Sequence, residues 1–504
     1  MIPCLAAFGD LAVAATYHAD PETGSMSNPG TAEAPWSSLE AVFAAGKTFE
    51  AGDIILLRSG YHGLPEVKGR NSAAAFIQPE AGALPKIRKL TVKDASDWVI
   101  SGLDISPENT TPVAYGITLV DIQNSCTRIT ISGCQMRAAA DTSGWDVADW
   151  QDNAGHGISS KAPYTVLRNN TIHNVGFGMT ISKTATHTLA ASNTIKGFSM
   201  DAIRCLADFS TFEYNTVTDS YVSDSNHDDF FQSYSTDASG SVGRGTVYNV
   251  TLRGNIFISS TVDHPLKKPP QGIGLFDGMF ENWVIENNII SSRTYHGIAL
   301  YGAINCRIAN NTVVENPVSG SSNNKPWVKI YEHKNQSDGS PWPVRSSGNL
   351  IRNNISSAKA DMPFTAGTMD HNVTVTDYPA CFTNYGEFDF SLLPQSPAVG
   401  AGNAEGAPPL DLLGRTRQVP FEAGAYELLA DTIGDSILTG AVRGPGGFSI
   451  TWDSRIGPVD VERSTSLGES SWKTVSKNDA DGKHTDATAP ESGPVFYRLR
   501  KEER

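Results

Sequence analysis

The stretch NNTIHNVGFGMTISKTATHTLAASNTIKGFSMDAIRCLADFSTFEYNTVTDS, residues 169–220, repeats one phrase three times: an asparagine followed by a short β-branched run, at Asn170, Asn193 and Asn215. Beyond it the phrase returns at Asn255 (GNIFISS), Asn288 (NNIISS), Asn311 (NNTVVEN) and Asn354 (NNISSA), with successive gaps of 23, 22, 40, 33, 23 and 43 residues. A period in the twenties with one turn residue and one strand-like run is what stacked β coils produce, each coil burying its inner face against its neighbours. The expected fold is all-β, a right-handed parallel β-helix. Scattered N-x-S/T sequences are also glycosylation acceptors or ordinary turns, but neither explains the spacing.

The asparagines have a local reason. At a tight bend the backbone needs φ > 0, which Asn tolerates, and its amide can bond the same Asn one coil above and below. Taking one coil as about 23 residues, the three long gaps carry insertions of roughly 17, 10 and 20 residues. They fall near 235–248, 261–271 and 317–345. Loops added to adjacent coils stack and wall a groove, which puts the expected site beside the coils from 195 to 335.

The chain has 504 residues, of which 18% are charged, with a net charge of −15. No basic run offers a phosphate footprint, which argues against nucleic acid as a partner. A polyanionic substrate stays open, because local cations can reverse the field inside a groove. No apolar run is long enough to span a membrane. Residues 1–16 (MIPCLAAFGDLAVAAT) are small and apolar, and AVAA resembles a cleavage site, although a basic start is missing and Asp10 interrupts the run. They are expected to be the remnant of a secretory leader, implying a secreted or periplasmic protein; a plain N-terminal strand is the alternative. Cys205 and Cys306 lie in apolar runs that suit buried thiols, while Cys126 and Cys134 pair only if the bend between them joins their Cβ atoms. The chain is expected to act as a monomer.

Residues 17–60 carry a strand, a D-x-x-x-G-x-x-x-N-P-G-T turn from Asp20 to Thr31, a P-W-x-S-L helix start at Pro35 and the run AGDIILLR at 51–58. This resembles the opening motif of secreted β-helix (pectin lyase-like) enzymes, in which the helix caps the first coil. SPAVGAG (396–402), DLLGRTR (411–417) and FEAGAYE (421–427) resemble the sequence that closes such helices. The resemblance spans residues 17–428 and implies fold, not substrate. Over 435–504, FSITWDS, VDVERSTS, WKTVS and PVFYRLR alternate as short strands and resemble the fibronectin type III-like β-sandwich modules appended to polysaccharide-degrading enzymes, an accessory or spacer.

Aligning the coils by the apolar residue that opens each strand gives a column: His156-Gly-Ile, Phe177-Gly-Met, Asp201-Ala-Ile, Asp229-Phe-Phe, Gln271-Gly-Ile, His296-Gly-Ile. Equivalent positions on successive coils lie ~4.8 Å apart. Asp201, Asp228, Asp229, Gln271 and His296 therefore share one outward face, joined by Arg204 and Gln232. Tyr234, Asp277, Tyr295 and Tyr301 flank the strands, Lys267 and Lys268 lie in the loop expected on the groove wall, and Trp327, Tyr331 and Trp342 in a later one. Such acids either solvate a surface, bind Ca²⁺ through hard oxygen ligands, or act as the acid and base of a hydrolase.

Two resemblances bear on the chemistry. MDAIRCLADFSTFEYNTVTDS, DDFFQSYS and QGIGLFDG resemble the middle coils of the alginate lyase and chondroitinase B family. That resemblance implies Asp201 and Asp229 as Ca²⁺ ligands and Arg204 as the strand arginine, with Asp228 of the same acidic cluster as a further metal candidate. Where that family has its basic Lys this chain has Tyr234, and where it has the partner Arg it has Phe276, so a lyase base would have to be Tyr234, His296 or Lys267. The series MDAI, HDDFF and YHGI also resembles the polygalacturonase motifs, implying Asp201, Asp228 and Asp229 as the carboxylates of an inverting hydrolase with His296 as auxiliary; its substrate-holding basic coil is not evident here. The expectation is a secreted enzyme cleaving an acidic polysaccharide, by β-elimination ahead of hydrolysis, with Gln232, Gln271, Lys268, Asp277, Tyr295, Tyr301 and Trp327 holding substrate. A non-catalytic carbohydrate-binding or adhesin solenoid is the rival.

Overall fold

The structure, a computed structural model, describes residues 14–225, 227–318, 324–335 and 340–428, and toward the C-terminus 438–444, 447–452, 459–465, 472–479, 482–489 and 495–500. The chain divides into two compact units, Met1–Glu427 and Leu428–Arg504.

The first unit is a parallel β-helix. One coil runs through strands Met179–Ile181, Leu189–Ala191 and Thr194–Phe198, and the chain then returns to pair with itself in parallel: Met179 with Ile203, Leu189 with Thr211, Thr194 with Thr216. Repeating this builds a 21-stranded sheet that wraps two faces and a 12-stranded sheet on the third. Inside, the column Ile158, Met179, Ile203, Phe231, Ile273, Ile298 and Val328 is in register and buried. Each such side chain contributes about 1.5–3 kcal/mol by leaving water.

The asparagines form the expected ladder. Each Nδ2 donates to the Oδ1 of the next at 2.9 Å, from Asn170 through Asn193, Asn215, Asn255, Asn288, Asn311 and Asn354 to Asn372. The left-handed bend, however, belongs to the residue before each one: Asn169 (φ 55°), Ser192 (55°), Tyr214 (54°), Gly254 (63°), Asn287 (54°), Asn310 (54°), Asn353 (58°) and His371 (52°). The ladder Asn is needed for its buried amide, which also bonds a strand carbonyl of the neighbouring coil, as Asn193 Nδ2 does to Leu167 O at 2.9 Å. In earlier coils Gly102 (φ 68°) and Gly133 (φ 61°) take the bend position, and the Cys134 N–H caps the ladder on Asn170 Oδ1 at 3.1 Å. Cys126, Cys134, Cys205, Cys306 and Cys381 are free buried thiols, so Cys126 and Cys134 do not pair.

At the N-terminal end Trp36 stacks on Tyr17 at 4.7 Å, and the helix Leu39–Ala44, capped by Ser38, buries Leu39, Val42 and Phe43. Thr16 already pairs with Ile54 in the first coil, so the leader expected over 1–16 reaches too far; residues 1–13 lie outside the described residues. Two insertions also differ from expectation. Thr246–Tyr248, within 235–248, is a strand of a short extra sheet with Met279–Glu281 and Ala303–Ile304. Trp327–Tyr331 is no loop but the next strand of the main face, paired with His296–Tyr301.

The closing sequence does not simply plug the end. It runs back along the flank, using the bend asparagines: Arg417 Nη2 donates to Asn287 Oδ1 (2.8 Å), Asn310 Nδ2 to Glu422 O (3.1 Å), Gly424 N to Asn353 O (2.7 Å) and Asn403 N to Asn353 Oδ1 (2.8 Å). This explains the Asn-Asn doublets at 287–288, 310–311 and 353–354: the first residue turns the chain and grips the strap, and the second joins the ladder.

In the second unit, Leu438–Gly444, Gly447–Trp452 and Lys483–Asp486 form one antiparallel sheet, and Lys473–Asp479, Val459–Ser464 and Phe496–Arg500 another. Ile450, Trp452, Val459, Val461 and Leu499 make a shared core. Among the described residues no helix is long and apolar enough to cross a membrane.

Candidate active site

The predicted column exists in the register: Asp229 pairs with Gln271, each two residues ahead of the inward apolar column, and His296, two ahead of Ile298, pairs across a register shift with Trp327, one ahead of Val328. The acids are not outward, as the sequence reading placed them, but buried: Asp201, Asp228 and Asp229 are 3%, 4% and 1% exposed. Burying a carboxylate is costly unless it is paired, so their partners matter.

Asp201 is well attended. Its Oδ2 accepts from Arg204 Nε (2.9 Å) and Nη2 (2.6 Å), and its Oδ1 from the Asp229 backbone N–H (3.0 Å). The guanidinium lies 4.4 Å from the Phe177 ring and 6.0 Å from that of Tyr234. Asp229 has less support: Gln232 Nε2 donates to its Oδ2 at 3.0 Å, while the buried Oδ1 finds no partner among the described residues. That oxygen fits only because residue 274 is glycine, where a Cβ would lie 2.3 Å away. Burial, then the charge of Asp201, pushes the Asp229 carboxyl well above the usual range. Burial also raises Asp201 against the pull of Arg204. Between these two the proton belongs on Asp229, because Asp201 holds the guanidinium and the N–H.

Asp228 forms an ion pair with Lys268 at 3.3 Å. Burial, helped by the charges of Asp201 and Asp224 and opposed by Lys268, raises it to about 7. His296 sits among the rings of Tyr295 (4.2 Å), Phe276 (4.9 Å) and Trp327 (5.0 Å), its buried Nδ1 without a hydrogen-bond partner among the described residues. Burial lowers it to about 4, so near neutral pH it is uncharged. Gln271 is also buried, its Oε1 unpartnered.

Beyond His296 the face becomes aromatic. Tyr301 and Tyr331 lie 4.7 Å apart, and Lys329 Nζ is 5.0 Å from the Trp327 ring and 5.9 Å from that of Tyr331. Asp277 pairs with Lys334 at 2.7 Å. Lys267 does not join the site: its ammonium is buried on Asp219 at 2.7 Å, 3.9 Å from the Tyr221 ring. Trp342 stacks on His333 at 4.1 Å, packing a loop.

The expected calcium cage does not fit this arrangement. Among the described residues no three His, Cys, Asp or Glu side chains are placed to share a metal ion. Sequence inspection passed over Phe177, Gly274 and Lys329 as site residues. The period-2 spacing of Trp327, Lys329 and Tyr331 would have placed the lysine on the same face as the two rings.

Residues 156–355 match a family model described as a right handed beta helix region. Curated proteins give no match. Solved structures similar to this chain include a pectate lyase at 13% identity and TM-score 0.42, covering 83% of this chain and 98% of that one. An alginate lyase from Paenibacillus sp. is similar at 12% identity and TM-score 0.33, covering 67% and 96%. A lacto-N-biosidase from Eubacterium ramulus is similar at 12% identity and TM-score 0.39, covering 71% and 67%. The family match and the strand register together make residues 156–355 a right-handed parallel β-helix.

Proposed function

We propose that this protein cleaves an acidic polysaccharide by hydrolysis, in a groove along the face that carries Asp201, Asp228, Asp229 and His296. The observation behind this is two neighbouring buried carboxyls in unlike company: Asp201 gripped by the Arg204 guanidinium at 2.6 Å, and Asp228 raised by burial to about 7 beside Lys268. Two neighbouring acids whose environments push their protons apart are the acid and base that glycosidic cleavage requires. Asp228 donates its proton to the leaving glycosidic oxygen, and the Asp201 carboxylate accepts a proton from the attacking water. Asp229 stays neutral and holds the Asp201 carboxylate through its N–H. Trp327, Tyr331, Tyr301 and Tyr295 offer ring faces for sugar stacking, and Lys329 supplies a cation for a uronate carboxylate beside them.

β-Elimination is the second reading, favoured by Tyr234 lying beside Arg204. The other bases are poorly suited to it: Lys267 is tied to Asp219, and a histidine lowered to about 4 is a weak base. The apolar start of the chain supports secretion, and the C-terminal unit is proposed as an accessory module.

The test is to incubate the protein with pectate, alginate, chondroitin and ulvan while following new reducing ends and the ultraviolet absorbance of unsaturated uronates together. Reducing ends without absorbance support hydrolysis, and Asp228→Asn should abolish them. A rise in absorbance would overturn hydrolysis in favour of elimination, and silence in both would leave a binding solenoid.

A further inference from the structure

Loop 261–270 leaves the helix after the strand Ile256–Ile258 and returns at Gln271, and one side chain holds both of its ends. Asp219 Oδ1 accepts from Thr261 N (2.9 Å) and from Lys267 Nζ (2.7 Å), and the Thr261 hydroxyl lies 2.9 Å from Oδ2. The Asp219 and Lys267 side chains are 4% and 6% exposed. Behind the ammonium, Tyr221 stacks on Trp150 at 4.2 Å. The backbone continues the clamp: Val222 N donates to Leu266 O (2.8 Å) and Lys268 N to Ser220 O (3.4 Å).

Consecutive residues of an extended segment point opposite ways. With Lys267 turned into the Asp219 clamp, Lys268 is turned the other way, its Nζ on Asp228 Oδ2 (3.3 Å) and on Asp224 O (3.2 Å). A buried ion pair adds little stability over apolar side chains of equal size; its best-attested use is to fix register.

We propose that Asp219 and Lys267 are a positioning pair: they fix the register of loop 261–270 so that Lys268 is the cation facing Asp228. The part assigned to Asp228 rests on the hydrolytic reading above, whereas the positioning does not. The charged groups facing Asp228 are Lys268 from the loop, Asp201 from the preceding coil and Asp224 from its own turn. Losing the clamp frees Lys268 and leaves two negative charges facing the carboxyl, which then holds its proton to higher pH.

The readout needs no substrate. In each background, the thermal midpoint is compared with that of its own Asp228→Asn variant across pH, and the pH at which the difference levels off reports where Asp228 titrates in the folded protein. Lys268→Met should move that point up by about one pH unit, tenfold in proton affinity. Lys267→Met and Asp219→Asn should move it the same way by about half a unit, roughly threefold. If either single variant fails to fold, Asp219→Leu with Lys267→Met removes both charges together and carries the test. A shift with Lys268→Met but none with the clamp variants overturns the positioning role, and no shift with Lys268→Met overturns the pairing itself. Shifts as expected in a protein that hydrolyses nothing would sink the hydrolytic reading and leave the clamp standing.

Discussion

Replacing Asn215 by alanine tests the ladder most directly. The side chain is fully buried. Its Nδ2 donates to Ala190 O and to Asn255 Oδ1, each at 2.9 Å, and its Oδ1 accepts from Asn193 N (3.0 Å) and Asn193 Nδ2 (2.9 Å). Asn255 Oδ1 would keep the backbone N–H of residue 215 at 3.1 Å. Two donors would then be stranded without water, the Asn193 backbone N–H and one hydrogen of its amide, whose other hydrogen stays on Leu167 O at 2.9 Å. At about 1–3 kcal/mol for each unmet buried group, the expected loss is about 2–6 kcal/mol, a large share of a typical domain's stability. Guanidinium denaturation followed by circular dichroism measures it, with Asn335→Ala as an exposed control expected to stay within about 0.5 kcal/mol. A loss below about 1 kcal/mol for Asn215→Ala would mean that the strand ladders alone hold the bend and that the amide column is incidental.

Gly274→Ala puts a methyl 2.3 Å from Asp229 Oδ1 and 2.4 Å from the Phe276 ring, so turnover of whichever glycan is cleaved should fall at least tenfold while the thermal midpoint moves little; unchanged turnover would remove Asp229 from the site. Asp228 is raised to about 7 in the folded state, above its unfolded value of 3.8. Its effect on stability is nil while both states are protonated, grows as pH climbs from about 4 to 7, where only the unfolded chain ionises, and is then constant. Asp228→Asn escapes that penalty and should gain on the wild type across this window by at most about 4 kcal/mol, read as diverging denaturation midpoints; parallel curves would refute the shift. Arg417→Met strands Asn287 Oδ1 and removes the cation beside Glu427 Oε2, and should cost about 3–5 kcal/mol and open residues 396–427 to limited proteolysis; a variant as resistant as the wild type would show that the strap is held elsewhere.

The repeat was legible because each coil spends one buried amide at one corner, and buried amides are few enough for their spacing to stand out. What the sequence hid was the division of labour inside each doublet. Ser192, Tyr214 and His371 occupy the left-handed position without resembling turn residues, because the ladder behind them fixes the backbone. Asn372 was missed since its coil is only 18 residues long. The acid column was readable because Asp201 and Asp229 precede in-register apolar residues, a local pattern. The burial of those acids was not, since it depends on Gly274, Phe276 and the returning loop. Nor could two adjacent lysines be told apart: Lys267 and Lys268 differ only in which way an irregular loop turns them.

The strap over 396–427 sets a limit on how this solenoid can change length during evolution. Its grips fall on Asn287, Asn310 and Asn353, so their separations are matched to particular coils. Coils before residue 195 show no such match among the described residues, and a duplication or deletion there leaves the grips of the strap in step, as stacked repeats allow. Adding or removing one between Asn287 and Asn353 would put every later grip out of step. Lineages that lengthen or shorten this helix should therefore do so on its N-terminal side, upstream of the groove.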